Sequence, residues 1–173
     1  ELEATKAPIS VTLIKPSAID TPYTEHARNY MTVEPQVPPP VYAPDIVADA
    51  ILHCCENVVR DLVVGGGGRM LSTFGSITPR MTDIVMEAAM TDLQKKNESA
   101  RDSEDRPEGL HSSRDSRLKE RGGYEGRVME SSFYTKAAMH PYLTGSALAL
   151  GLGGLMFALS RAGQNGRAAE SGH

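Results

Sequence analysis

The sequence predicts an α/β fold, on three observations taken in chain order. The run Ile9-Ser10-Val11-Thr12-Leu13-Ile14 is rich in β-branched residues, alternates apolar and polar at first, and stops at Pro16, the pattern of a strand. After an irregular stretch, Ile46, Val47, Ala50, Ile51 and Cys54 recur at helical spacing. Asp61-Leu62-Val63-Val64 then forms a short apolar run ended by four glycines, as a buried strand would be. Strand, irregular segment, helix and strand in that order make an α/β layer with a crossover connection.

Each element has a local reason. The chain opens on Glu1, and Glu1-Leu2-Glu3-Ala4-Thr5-Lys6 reads as the last turns of a helix, so a fragment of a longer protein is expected. Beyond the first strand, Lys15-Pro16-Ser17-Ala18-Ile19-Asp20-Thr21-Pro22 is held extended by two prolines, and its small residues leave room for a ligand to approach the backbone. Residues 23–42 contain Pro35 and Pro38-Pro39-Pro40, too broken for a long helix and too long for a plain connector, which suits a lid or binding loop. Pro44 and Asp45 suit the first turn of the next helix, whose apolar face should pack on a sheet. Gly65 to Gly68 read as a bend at a strand end. A last helix is expected over residues 79–94, with Met81, Ile84, Val85, Ala88 and Ala89 as its stripe and its methionines filling core.

Charge divides the remainder. The 173 residues carry a net charge of −4, with 40% apolar residues, 16 Gly, 11 Pro and no Trp. Residues 95–130 hold 9 basic and 9 acidic side chains and almost nothing apolar, a composition that cannot offset chain entropy by burial. Three parts follow: a folded part over 1–93, a charged disordered linker over 94–130 and a tail over 131–173. A weakly acidic balance without a basic surface argues against nucleic acid as a partner. Cys54 and Cys55, adjacent in sequence, make neither a disulfide framework nor a metal knuckle and read as small buried hydrophobes of a reducing compartment.

Motifs that would carry chemistry were tested against spacing. The glycine run lacks the Lys and hydroxyl of a phosphate loop, and Met70 breaks Gly-x-Gly-x-x-Gly. The five histidines are far apart with no second ligand at i+3 or i+4, so no metal is expected. Tyr134 has Ala138, not Lys, four residues on.

The series formed by the strand, Lys15-Pro16-Ser17-Ala18-Ile19-Asp20-Thr21-Pro22, the proline-broken loop, the Ala43-Pro44-Asp45-Ile46-Val47-Ala48 helix and the Asp61-Leu62-Val63-Val64-Gly65-Gly66 strand resembles the C-terminal part of the short-chain dehydrogenase/reductase family. The resemblance covers roughly residues 1 to 93. It implies the C-terminal portion of a Rossmann-like, doubly wound parallel sheet. In the family's Pro-Gly-x-Val-x-Thr pattern, Pro16, Ile19 and Thr21 fill the matching places, and Ser17 stands where Gly is usual. The resemblance thus implies Pro16, Ser17, Ile19 and Thr21 as cofactor-binding residues at the nicotinamide end of NAD or NADP. The Ile19 backbone would meet the carboxamide, and Thr21 the carboxamide or pyrophosphate. Residues 23–42 would be the substrate loop, for a small alcohol or carbonyl compound, and the family's habit of pairing implies a homo-oligomer. The family's Thr-Gly-x-x-x-Gly-x-Gly turn, Asn-Asn-Ala-Gly segment, catalytic Ser and Tyr-x-x-x-Lys pair do not occur here. No catalytic residue is therefore assigned, and the chain alone is expected to be inactive and a poor binder of the nucleotide, because acid/base chemistry at the carbonyl lacks its agent.

Residues 141–160 form a charge-free run flanked by Lys136, His140 and Arg161, which as a helix would span about 30 Å, the thickness of a hydrocarbon core. Gly145, Ala149 and Gly153 recur every four residues along it. A membrane helix is expected over 141–160, placing the folded part on the cytoplasmic face. The competing expectation is a non-catalytic, membrane-tethered adaptor built on a decayed Rossmann-like fold.

Overall fold

The computed structural model describes residues 2, 4–27, 29–99 and 119–170. Two compact units divide the chain, Glu1–Thr135 and Lys136–His173.

The first unit is a mixed α/β structure built on parallel strand pairs. Strand β1 (Leu13–Pro16) pairs in parallel with β5 (Asp61–Val64), in the register Leu13 to Asp61 and Pro16 to Val64. Between them in sequence lie β2 (Ala18–Ile19), the short helix α1 (Tyr23–His26), β3 (Val33–Pro35), β4 (Val41–Tyr42) and the helix α2 (Pro44–Glu56). Parallel pairing requires such a crossover, and α2 supplies it by packing on both β1 and β5. Pro44 at its first turn and Asp45 beside it open α2 as expected, and Ile46 and Ala50 are its buried face. With Val41, Tyr42, Ala43, Leu62 and Val64 they make up the buried apolar core. Cys54 is only half-buried and Cys55 is exposed, so the pair lies on the flank of α2 rather than in the core as expected.

Strand β1 begins later than the sequence pattern suggests. Ile9 and Val11 are exposed, and the ladder starts at Leu13, whose N–H donates to the Arg60 carbonyl at 2.8 Å, because only from there does β5 offer a partner. At the start of the unit, Lys6 has φ 51 and the Ala7 N–H donates to the Leu2 carbonyl at 3.1 Å, the closure with which a helix ends.

The glycines do more than bend the chain. Gly65 makes the bend, at φ 94, and Gly66 to Gly68 form the first turn of an unexpected helix, α3 (Gly66–Ile77). Helix α4 (Pro79–Val85), a π-helical turn (Met86–Met90) and α5 (Thr91–Leu93) then cover the span expected as one helix. Its stripe is not core: Met81 and Ile84 are 65% and 66% exposed. Helix α4 packs on α3 and the π turn, with no strand among its main packing partners, so its apolar stripe has no sheet to cover.

The span expected as a solvated linker enters the fold at both ends, while residues 100–118 lie outside the described residues. Strand β6 (Lys95–Ser99) runs antiparallel to β3, and β7 (Val128–Met129) adds in parallel to β4, giving the three-stranded order β2, β4, β7. Backbone pairing supplies these contacts, and a composition rich in charge does not forbid it. Helix α6 (Phe133–Met139) follows.

The second unit is dominated by α7 (Pro141–Glu170), longer than the expected span. Its stretch Pro141–Leu159 has mean hydropathy 1.6 and none of it is buried, so it is long and apolar enough to cross a membrane. Thr144 returns its hydroxyl to the His140 carbonyl at 2.9 Å, and the Arg161 guanidinium lies 5.9 Å from the Phe157 ring centre.

Candidate functional site

Because β1 and β5 are parallel and in register, their carboxyl ends finish together, and both chains leave the sheet at one place. Beyond such ends an open α/β sheet has its crevice. From β1 the chain continues as Ser17, whose N–H donates to the Val64 carbonyl at 2.8 Å. From β5 it turns at Gly65, where a Cβ would lie 2.8 Å from Ser17 Cβ and 2.8 Å from Tyr42 Cε2. The two exits therefore touch. Ser17 also abuts Gly68, so the side chain that Ser17 carries is accommodated by glycines opposite it.

The turn is held from two sides. Gly65 N–H donates to the Thr135 hydroxyl at 3.0 Å, and Gly67 N–H donates to the Tyr42 hydroxyl at 3.2 Å. Thr135 is fully buried, and its own N–H donates at 3.2 Å to Ser132 Oγ, which caps α6. Neither Tyr42 nor Thr135 was singled out by sequence. Tyr42 carries a weak signal as the end of the proline-broken loop, and Thr135, seventy residues from its partner, carries none.

The four sequence-assigned residues lie along this exit. Pro16 is the exposed last residue of β1; Ser17 is half-buried on the glycine turn. Ile19 lies in β2, opposite Tyr42 of β4, and its carbonyl accepts the Thr21 N–H at 2.9 Å in a γ-turn. Asp20 at its centre donates its N–H to the Tyr42 carbonyl at 2.9 Å and is 5% exposed. Thr21 is half-buried, and among the described residues its hydroxyl makes no hydrogen bond. A small hydroxyl of this kind can orient an amide without adding charge.

The uncommitted Thr21 hydroxyl is the feature here that would suit an amide such as a nicotinamide carboxamide. The glycine-rich turn Thr-Gly-x-x-x-Gly-x-Gly does not occur in this sequence. Among the described residues, no group of three or more His, Cys, Asp or Glu is placed to hold a metal ion.

The ion pairs stand around the site rather than in it. Lys15 pairs with Asp61 across the β1–β5 ladder at 2.6 Å, and its hydrogen bond holds the Asp61 carboxyl below the ordinary range. Arg121 donates to both oxygens of Glu130, at 2.6 and 2.8 Å. That bidentate bond lowers the Glu130 carboxyl and raises the Arg121 guanidinium above its usual value.

No family model matches the chain, and no solved structure matches it. It is 37% identical over 150 residues to "Uncharacterized oxidoreductase YxnA" of Bacillus subtilis strain 168. The relative is an oxidoreductase by name. The match covers 86% of this chain and 41% of the relative, so the chain spans about two fifths of the length of the curated protein it matches.

Proposed function

We propose that the chain is the nicotinamide-side and substrate-loop part of an NAD(P)-dependent short-chain oxidoreductase acting on an alcohol or carbonyl substrate. The observation that carries this reading is the exit of Pro16 to Thr21 from the carboxyl end of a parallel strand pair onto a glycine turn. The similarity to an oxidoreductase along 86% of the chain supports it. The bound dinucleotide would supply the hydride. This chain's part is to orient its carboxamide through the Ile19 backbone and the Thr21 hydroxyl, and to line the substrate with residues 23–42. The remaining strands of a Rossmann-like sheet would pair beyond β1, where Leu13 is now exposed. Pro141–Leu159 would anchor the protein in a membrane, with the first unit at the cytoplasmic face.

Saturation-transfer NMR on the full chain in lipid nanodiscs, with NADH and NADPH as probes, tests the cofactor reading. Transfer to the nicotinamide protons of at least one nucleotide is expected, several-fold weaker in Thr21→Val. Transfer to neither nucleotide overturns the reading and favours the adaptor.

A further inference from the structure

We infer that residues 119–130 form a strap that positions Asp20 and Thr21, with Gly122 and Arg121 as the positioning residues. This rests on the reading of residues 16–21 as the nicotinamide side.

The strap crosses the candidate segment at Gly122, whose N–H donates to the Asp20 carbonyl at 3.3 Å. A Cβ there would lie 2.6 Å from the Thr21 carbonyl oxygen and 3.0 Å from Asp20 Oδ1. Backbone meets backbone at that point, and no side chain larger than hydrogen fits without displacing Thr21. Asp20 is 5% exposed beneath the strap, and both of its main-chain groups are bonded, the carbonyl to Gly122 and the N–H to Tyr42.

The strap is fastened on both sides of this crossing. Before it, Lys119 lies 3.6 Å from Glu25 on α1. Beside it, Arg121 holds Glu130 bidentately and reaches Asp45, at the first turn of α2, at 3.5 Å. After it, Glu125 pairs with Lys96 of β6 at 3.2 Å, and Val128–Met129 pairs with β4, where the Ala43 N–H donates to the Met129 carbonyl at 3.1 Å. Each ion pair alone is exposed and weak. Together they tie the strap to α1, α2, β4 and β6, and its crossing of the candidate segment at Gly122 is set by these ties. Positioning a main-chain segment in this way matters because small misplacements of an orienting group cost rate steeply.

Hydrogen exchange read by mass spectrometry on the full chain tests the inference, following peptides that cover residues 17–22, 119–130 and, as control, 61–64. Arg121→Glu should speed exchange of the first two together several-fold and leave the control unchanged, and adding Glu130→Arg should restore both. Gly122→Val should speed residues 17–22 and, in the same sample, lower saturation transfer from the chain to NADH. A strap that loosens while residues 17–22 keep their wild-type rate overturns the inference. Should Gly122→Val speed the control as well, the exposed Arg121→Glu and its charge swap decide. If the wild type gives a signal with neither NADH nor NADPH, the cofactor reading fails, while the strap stands or falls on exchange alone.

Discussion

Thr135 shows how one hydroxyl can hold a turn. It is fully buried, accepts the Gly65 N–H and has its own N–H satisfied by Ser132. Thr135→Val keeps the shape and removes the acceptor, leaving a buried N–H unpaired, which should cost about 1–3 kcal/mol in a denaturant melt. Thr135→Ser, retaining the hydroxyl, should cost less. Gly65→Ala is expected to be at least as damaging, because the site requires φ 94 and the added methyl meets Ser17 and Tyr42. A loss above about 1 kcal/mol would reflect strain and overlap together; a neutral result would mean the exit from β5 can be rebuilt.

At the scale of elements, local patterns told the truth where packing and propensity agreed. Helix α2 and strand β5 lie where the apolar spacing put them, and Pro16 closes β1. Helix α3 was hidden because its first turn is glycine, the poorest helix former after proline, although Met70, Leu71, Phe74 and Ile77 carry its period. The ordered ends of the charged span were hidden too, since β6 and β7 are made by backbone pairing with β3 and β4, and nothing in Lys95-Lys96 or Val128-Met129 names those partners. For the candidate site, residues 16–21 were legible through their prolines, whereas the strap and Thr135 act across distances that no short motif spans.

The strap also carries a pH dependence with a definite sign. Glu130 has its carboxyl lowered by Arg121, and Asp61 has its carboxyl lowered by Lys15. A depressed carboxyl stabilises the folded state fully above its unfolded value and loses that contribution as pH falls through the folded value. Arg121 keeps its charge throughout this window. Cleavage of the strap by a protease active in acid should therefore be slow at the upper edge of the carboxylate range and accelerate below it, with Glu130→Gln cleaved rapidly at both. Equal rates for wild type and Glu130→Gln at the higher pH would show that the clasp contributes nothing.

Among the described residues, large apolar side chains stand exposed on several elements. Met70, Phe74, Met81 and Ile84 are all more than half exposed on α3 and α4, as is Leu13 on β1. Without detergent the chain should sediment as aggregates, and Phe74→Glu with Ile84→Lys should shift it toward smaller species; an unchanged profile would place the sticky surface elsewhere. Pro141–Leu159 predicts separate behaviour: after alkaline carbonate extraction the chain should stay with membranes, and deletion of residues 141–159 should release it. Release of the intact chain would remove the anchor from the proposal.

The bond between Gly65 and Thr135 joins positions seventy residues apart. A ribosome builds the chain from the amino end, so β1, α2 and β5 are complete long before the residue that secures their shared exit has been added. Until then the Gly65 amide has only water to bind. The candidate site must therefore close late in synthesis, just as the apolar stretch beginning at Pro141 follows Thr135 off the ribosome. A product ending between Gly65 and Thr135 would keep both strands of the β1–β5 pair but have an open exit, a form that quality-control proteases would meet before any ligand did.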